Sequence, residues 1–388
     1  MKELFETIFL LSSIQGVLLS LVLFMRKENH AANIFLSLGI LAISSELFSS
    51  AYYSKGWHHE FPWFMGATYP VAYLYGPIFY LYTKLLAKKI ERVKIINLLH
   101  LVPFLIGYII IIPIYLLPIP ERINYVEKMI ADQHPMIYNI YENLIPVQGI
   151  IYTVLTILLV TEYNKKIRER FSNVERINLN WLKYIAFAAV VCWSIAAASQ
   201  IVDFFAPNNR SVGIALHTAM SVLIYSIGYL GLRQPEIFMK PADYSAENLS
   251  TEKYKKSGLD DSAAEEIKIK LLGLIEKEKP YLDSELTLNK LSEMIPVSTH
   301  NLSEVINSKL GKTYYDFINE YRVEEFKKKL EDPSNHNYNL ISLAFDSGFN
   351  SKTSFNTIFK KTTGKTPSEY KSSIMQQDSL STSTRSKV

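Results

Sequence analysis

The 388-residue sequence predicts an all-α protein in two parts, an apolar helical bundle followed by a polar helical domain, and three features carry that expectation. Apolar runs of membrane-spanning length recur between residues 5 and 232. Beyond them the chain turns polar, with apolar residues at helical spacing, and glycines and short hydroxyl or amide residues fall where short helices must stop and start. The mean hydropathy of +0.07 hides this junction, because it is what a strongly apolar half and a strongly polar half give when pooled. The net charge of +4 is small, so its distribution along the chain is more informative than its size. The single cysteine, Cys192, excludes an intramolecular disulfide and a cysteine-based zinc site.

Crossing the bilayer hydrocarbon takes about 20 apolar residues in a helix that satisfies its own backbone groups. That criterion places seven spans near 5–25, 31–52, 63–86, 95–117, 138–161, 181–205 and 212–232, a membrane domain of residues 1–233. Lys2 ahead of an apolar run suggests a secretion signal, but the run is too long for a signal core and no small-x-small site follows Met25, so the span is expected to be retained. The connections after spans one, three and five hold Arg26, Lys27, Lys88, Lys89, Arg92, Lys94, Lys165, Lys166, Arg168, Arg170 and Arg176. Those after spans two, four and six hold only Lys55, Arg122, Lys128 and Arg210. This asymmetry predicts a multi-pass protein of the cytoplasmic membrane with its amino terminus outside. An odd number of crossings then leaves the carboxyl-terminal domain in the cytoplasm.

The third span is crowded with aromatics from Tyr69 to Tyr80, and Gly76-Pro77 is expected to kink it, either for packing or beside a ligand cavity. Polar groups inside spans are costly and so are functional candidates. Glu46, Asp203 and His217 all map to the outer third of their spans, where they would form a polar pocket for a small ligand or a proton, His217 being the group most easily titrated near neutral pH. The alternative is that Asp203 marks a helix end and Glu46 pairs locally. Gln15, Gln148 and Gln200 suit interhelical hydrogen bonds. His58-His59, in an outer loop, lacks further ligands at metal-binding spacing, and neither a metal nor a cofactor is expected.

Residues 234–262 read as a cytoplasmic linker whose Lys253, Lys255 and Lys256 suit an anionic lipid surface, and residues 376–388 read as a disordered serine- and threonine-rich tail. Between them, residues 263–375 show one pattern twice. A first helix, Ala263 to Glu278, carries Ile267, Leu271, Leu274 and Ile275 on one face. Thr287 to Ile295 then makes a helix, Pro296-Val297 turns, and Ser298 caps a second helix that runs to Lys309 and is ended by Gly311. In the repeat, Asn339 caps a helix through Phe345, Ser347-Gly348-Phe349 turns, and Ser351 caps a helix through Lys361 that stops at Gly364. A long helix from Tyr314 to Leu330 joins the units. Helix, short turn, capped helix is the plan that sets a second helix into a DNA major groove.

The stretch Gly348-Phe349-Asn350-Ser351-Lys352-Thr353-Ser354-Phe355, continued through Thr363-Gly364-Lys365-Thr366-Pro367-Ser368-Glu369-Tyr370-Lys371, resembles the DNA-binding domain of AraC-type transcription regulators, and the likeness covers roughly residues 265–372. With the apolar segments, the chain looks like a membrane-embedded form of that family. The resemblance implies two helix-turn-helix units, with Lys352, Thr353 and Thr357 facing bases and Ser351, Lys360 and Lys361 suiting phosphates.

A recognition helix needs one buried side and an exposed first turn. Phe355, Ile358 and Phe359 supply the buried side of the second, leaving Lys352, Thr353, Asn356, Thr357 and Lys360 outward. Leu302, Val305 and Ile306 do the same for the first, leaving Ser298, Thr299, His300, Ser303, Glu304 and Asn307. Glu304 stands where the family often has arginine, and a carboxylate repels phosphate. The excess of lysines between Phe326 and Lys371 therefore makes the second unit the stronger phosphate binder.

The expected function is sequence-specific binding of double-stranded DNA that regulates transcription, gated through a bilayer-embedded sensor by a ligand at its outer half. Two copies on tandem or inverted sites would extend the limited base contact of one domain. No catalytic constellation is visible, and an enzyme is not expected. Rival readings are a transporter or membrane enzyme with a regulatory cytoplasmic domain, and membrane helices that act only as a tether.

Overall fold

The computed structural model describes residues 2–27, 29–88, 95–130, 135–175, 177–205, 211–233, 259–335 and 338–374, and the protein is all-α, its one β feature among these residues being a single antiparallel bridge between Phe171 and Thr287. Two compact units are present. One comprises Met1–Tyr163 with Leu179–Leu249, the other Asn164–Asn178 with Ser250–Val388. Residues 234–258 of the expected linker and the tail from 375 lie outside the described residues, as do Lys89, Arg92, Lys94, Arg176 and Arg210 of the charge pattern.

The first unit opens with α1 (Lys2–Phe24) and α2 (His30–Ser54). Their backbones approach closely at Gly16, where a Cβ would lie 2.0 Å from Ser44 Oγ. Hydroxyls hold the pair: Ser13 Oγ donates to the Ser44 carbonyl at 2.8 Å, and the Ser20 and Ser37 hydroxyls meet at 2.9 Å. Small residues and interhelical hydrogen bonds of this kind are how helices associate where hydrophobic contrast is absent, as in lipid.

The expected third span, 63–86, is not one helix. Pro62–Phe64 and Val71–Leu74 are short 3-10 turns, and only α3 (Tyr75–Lys88) is regular, at about 21 Å too short to cross the hydrocarbon by itself. Pro62, Pro70 and the positive φ of Gly66 break the pattern that apolar content suggested. Gly76-Pro77 accordingly starts a helix rather than kinking one, proline being suited to a first turn where no amide partner is needed. The broken segment nonetheless runs antiparallel to α2. The Tyr52 hydroxyl donates to the Phe61 carbonyl at 2.7 Å, Gly66 N donates to the Tyr53 hydroxyl at 2.8 Å, Thr68 Oγ1 donates to Ser49 Oγ at 2.9 Å, and Ile78 packs on Gly39. Pro62, Met65, Pro70 and Tyr73 of this stretch are buried, while Phe61, Trp63 and Phe64 are exposed.

A 3-10 stretch, Ile95–Leu101, leads into α4 (Val102–Tyr115), followed by α5 (Ile119–Ile130), α6 (Met136–Arg168), α7 (Asn180–Phe205) and α8 (Ser211–Arg233). The amphipathic α5 was not expected; Val126 with Ile123 and Met129 packs it onto Tyr52, Met65, Ile111 and Ile114. Among the described residues five helices are long and apolar enough to cross a bilayer: Glu3–Phe24, His30–Ser54, Ile95–Tyr115, Met136–Arg168 and Asn180–Ala198. The expected seventh segment is helical throughout as α8, with a shorter apolar stretch at Gly213–Ser226.

The second unit contains α9 (Asp261–Glu278), α10 (Leu288–Met294), α11 (Thr299–Leu310), α12 (Tyr314–Glu331), α13 (Leu340–Phe345) and α14 (Lys352–Thr363), with residues 367–374 also helical. It has two cores. Ile267, Leu271 and Ile275 of α9 pack with Leu291, Leu302, Val305 and Ile306 around the first helix pair. Val323, Phe326, Leu343, Phe349, Phe355 and Phe359 form the second. The helix α12 serves both, offering Phe317 and Ile318 to one core and Val323 and Phe326 to the other, which fixes the spacing of the two pairs.

Candidate nucleic-acid interface and membrane cavity

The second helix pair is locked at its turn. Gly348 has φ +92°, and a Cβ there would lie 2.3 Å from the Tyr281 carbonyl, so both conformation and space require glycine. Ser351 then caps α14, its Oγ accepting from Ser354 N at 3.1 Å, and Gly364 ends the helix in the left-handed conformation. With Phe355, Ile358 and Phe359 buried, Lys352, Thr353, Asn356, Thr357, Lys360 and Lys361 are all exposed, and Ser351 is half-buried at the helix mouth. Beside them Thr366-Pro367-Ser368-Glu369 forms a capping box: Glu369 N donates to Thr366 Oγ1 at 3.3 Å and Thr366 N donates to the Glu369 carboxylate at 2.8 Å.

The face of α11 is assembled in the same way but is less open and less basic. Ser298 caps it, accepting from Asn301 N at 3.1 Å; Ser298 and Asn307 are exposed, while Thr299, His300, Ser303 and Glu304 are half-buried. Glu304 stands 4.0 Å from the His300 ring nitrogen, and the Asn307 amide donates to the Ser303 carbonyl at 2.9 Å. Lys361 is not a free cation, since it pairs with Asp316 at 2.7 Å. Burial works to raise the Asp316 carboxyl, but the hydrogen bond from Lys361, the Thr313 hydroxyl and the nearby positive charge outweigh it and hold the group below the ordinary carboxylate range. Of the Lys327–Lys329 run, Lys327 pairs with Glu324 at 2.9 Å and Lys329 donates to the Asp346 carbonyl.

Sequence reasoning missed Arg322, which is 2% exposed in the middle of α12. Its guanidinium donates to the carbonyls of Tyr281 and Asp283, each at 2.8 Å, to Ser172 Oγ at 3.1 Å and to Asn319 Oδ1 at 3.1 Å. Burial pulls its pKa down to about 10, which still leaves it charged at neutral pH. An arginine among aromatic and aliphatic residues on one helix face was the available signal, though nothing in the sequence named its acceptors.

Comparison with known proteins bears on this unit alone. Residues 291–373 match a family model described as "Helix-turn-helix domain". That match runs from within α10 through α11, α12, α13 and α14. Residues 291–373 are thus similar to a helix-turn-helix domain. Over 91 residues the chain is also 31% identical to an "Uncharacterized HTH-type transcriptional regulator" of Staphylococcus aureus (strain COL), a similarity that takes in 24% of this chain and 12% of that relative. No solved structure matches the chain.

In the first unit, Glu46 and His217 are brought together at 3.9 Å, with Ser50 Oγ 3.5 Å from the other ring nitrogen and the Phe9 ring against the imidazole. The Asp203 side chain lies outside the described residues. Glu46 and His217 line a cavity of about 600 Å³ with Tyr69, Tyr75, Glu142 and Trp193, its wall otherwise mostly apolar. Two further polar groups escaped the sequence reading. Glu6 of α1 is buried, accepts from the Ser54 hydroxyl and lies 4.0 Å from Lys55. Glu127 of α5 stands 3.5 Å from His59, making His58, His59 and Glu127 a cluster whose donor atoms lie within 4.8 Å of one another.

Proposed function

We propose that the protein is a membrane-embedded transcription regulator that binds double-stranded DNA sequence-specifically through its C-terminal domain. The observation that carries this reading is the exposed row Lys352, Thr353, Asn356, Thr357 and Lys360 on α14, displayed by a buried aromatic side within the matched helix-turn-helix domain. In a major groove each bidentate side-chain pair discriminates bases by about 1–3 kcal/mol, and threonine methyls can touch the thymine methyl. The α11 face supplies a second, weaker contact, because Glu304 puts negative charge on it. Purified protein in lipid nanodiscs should select a subset of duplexes from a random pool. Thr353→Ala should relax that selection, and Lys360→Ala should weaken all duplexes alike and flatten the salt dependence by about 0.9. A wild type with no preference among duplexes would refute sequence-specific recognition.

Membrane residence is supported by aliphatic surface that water would not tolerate. Leu4, Leu11, Leu18 and Val22 of α1 and Ile137, Leu144, Ile151 and Leu158 of α6 are all exposed. The crossing order of the sequence reading, amino terminus outside and DNA-binding domain in the cytoplasm, needs the broken segment 61–88 to count as a crossing. Its antiparallel run along α2 supports that. The cavity with Glu46 and His217 is the proposed sensing site, and its mostly apolar wall with a carboxylate–imidazole pair suits a small amphipathic molecule bearing a cationic or hydrogen-bond-donating group. Two copies acting on paired half-sites complete the proposal.

A further inference from the structure

The segment between α6 and α7, which the sequence offers only as a basic connection, packs with the DNA-binding domain rather than with the membrane helices it joins. Leu288 N, a first-turn amide of α10 with no partner inside its own helix, donates to the Arg170 carbonyl at 3.0 Å. Phe171 forms the antiparallel bridge with Thr287 and is 4% exposed. Ser172 Oγ donates to the Leu286 carbonyl at 2.6 Å and accepts from Arg322, while the Ser172 carbonyl accepts from the Asn319 amide at 2.9 Å. The Arg168 guanidinium lies over the Tyr315 ring. Finally, the Ser351 hydroxyl donates to the Glu175 carboxylate.

We propose that residues 168–175 are a built-in ligand of the DNA-binding domain, seated between α12 and the strand-like entry to α10 at Leu286–Leu288, and that Glu175 holds the mouth of the second recognition helix against DNA. Two independent observations make this seat a receptor and not a chance contact. Arg322 and Asn319 are buried charged and polar groups whose hydrogen bonds are completed by the segment, and the segment in turn satisfies an orphan helix amide. The consequence for DNA follows from where the carboxylate sits. The amino end of a helix attracts an anion, Ser351 there is the residue expected to meet a phosphate, and Glu175 occupies it with a negative charge that repels any phosphate approaching alongside. Because the segment is continuous with α6 and α7, a shift between those helices pulls directly on it. The linker at 234–258 is then not the sole route by which a membrane signal reaches the recognition helices.

This inference rests on the DNA-binding reading, and two measurements separate their failures. With the full-length protein in lipid nanodiscs and a randomised duplex as the probe, Glu175→Gln should bind roughly fivefold more tightly than wild type at low salt, an advantage that shrinks as salt screens the repulsion the carboxylate exerts on phosphate. Equal or weaker binding by the variant overturns the blocking role. Tryptic cleavage after Arg170 reads the docking without DNA: the bond should resist in wild type and be cut in Phe171→Ser, and equally rapid cutting in both overturns the docking. Absence of duplex binding by wild type and Glu175→Gln alike, with Arg170 protected, would instead strike at the DNA-binding reading and leave the segment as a purely structural strap.

Discussion

Arg322 shows how one side chain can organise a domain. It joins α12 to the Tyr281 and Asp283 carbonyls and to Ser172 through hydrogen bonds that no neutral residue reproduces. Arg322→Met fills most of the volume but leaves buried carbonyls unpaired, at a cost of about 1–3 kcal/mol each. Denaturant unfolding of the second unit should therefore show a loss of at least about 3 kcal/mol, and a loss below about 1 kcal/mol would mean that the carbonyls find other donors. Asp316 gives a pH signature. Its carboxyl titrates lower in the folded chain than in an unfolded one, so between the two values the unfolded chain binds more protons and stability rises with pH. Its contribution is complete above the ordinary aspartate range near 4 and fades as pH falls through the folded value. Asp316→Asn should flatten the stability profile below about pH 4 and, by freeing Lys361, tighten DNA binding at neutral pH. Neither residue was legible beforehand, because a buried pairing depends on which distant carbonyl or lysine arrives, and sequence spacing within one helix carries no trace of it.

Helix ends, by contrast, were written in the sequence. Thr287, Ser298, Thr313, Asn339 and Ser351 each accept a backbone amide at a helix start, and Gly311 and Gly364 each take a left-handed conformation at a helix end. Such signals are local and short-ranged, so capping residues and apolar spacing gave the helix-turn-helix boundaries to within a residue or two. The broken third segment shows the limit. Its apolar content met the length criterion, yet Pro62, Gly66 and Pro70 divide it, and contacts with α2 accompany a 3-10 path where a helix was expected. At the turn before α14, Gly348→Ala meets both a positive φ and the Tyr281 carbonyl. A loss of roughly 2–4 kcal/mol is expected in thermal or denaturant unfolding of the full chain, with α14 losing amide protection first. Unchanged stability would show that the turn relaxes.

Over the whole molecule, the function divides between two units whose chemistry differs in kind. The first offers aliphatic surface suited to lipid and a largely apolar cavity with the Glu46–His217 pair; the second offers an exposed row of lysine, threonine and asparagine. The sequence separated these classes through hydropathy and charge alone. It proposed the nearness of Glu46 and His217 from depth in their helices, and the structure brings them to 3.9 Å. It did not reveal that residues 164–178 pack with the second unit, since that partnership is made by long-range hydrogen bonds and not by composition. If the cavity senses a ligand, Glu46→Gln and His217→Ala should each change the response of a reporter promoter without changing duplex affinity in the absence of stimulus. A response that ignores both substitutions would favour a passive tether.

The most direct measurement is genome-wide DNA occupancy of the intact chain recovered from the bacterial membrane fraction, compared with a Lys352→Ala, Thr353→Ala double variant. Enrichment at a small set of sites sharing one sequence, lost in the variant while the protein stays in the membrane fraction, is the expected result. Recovery from the soluble fraction, or an occupancy pattern that the two substitutions leave unchanged, would contradict the account.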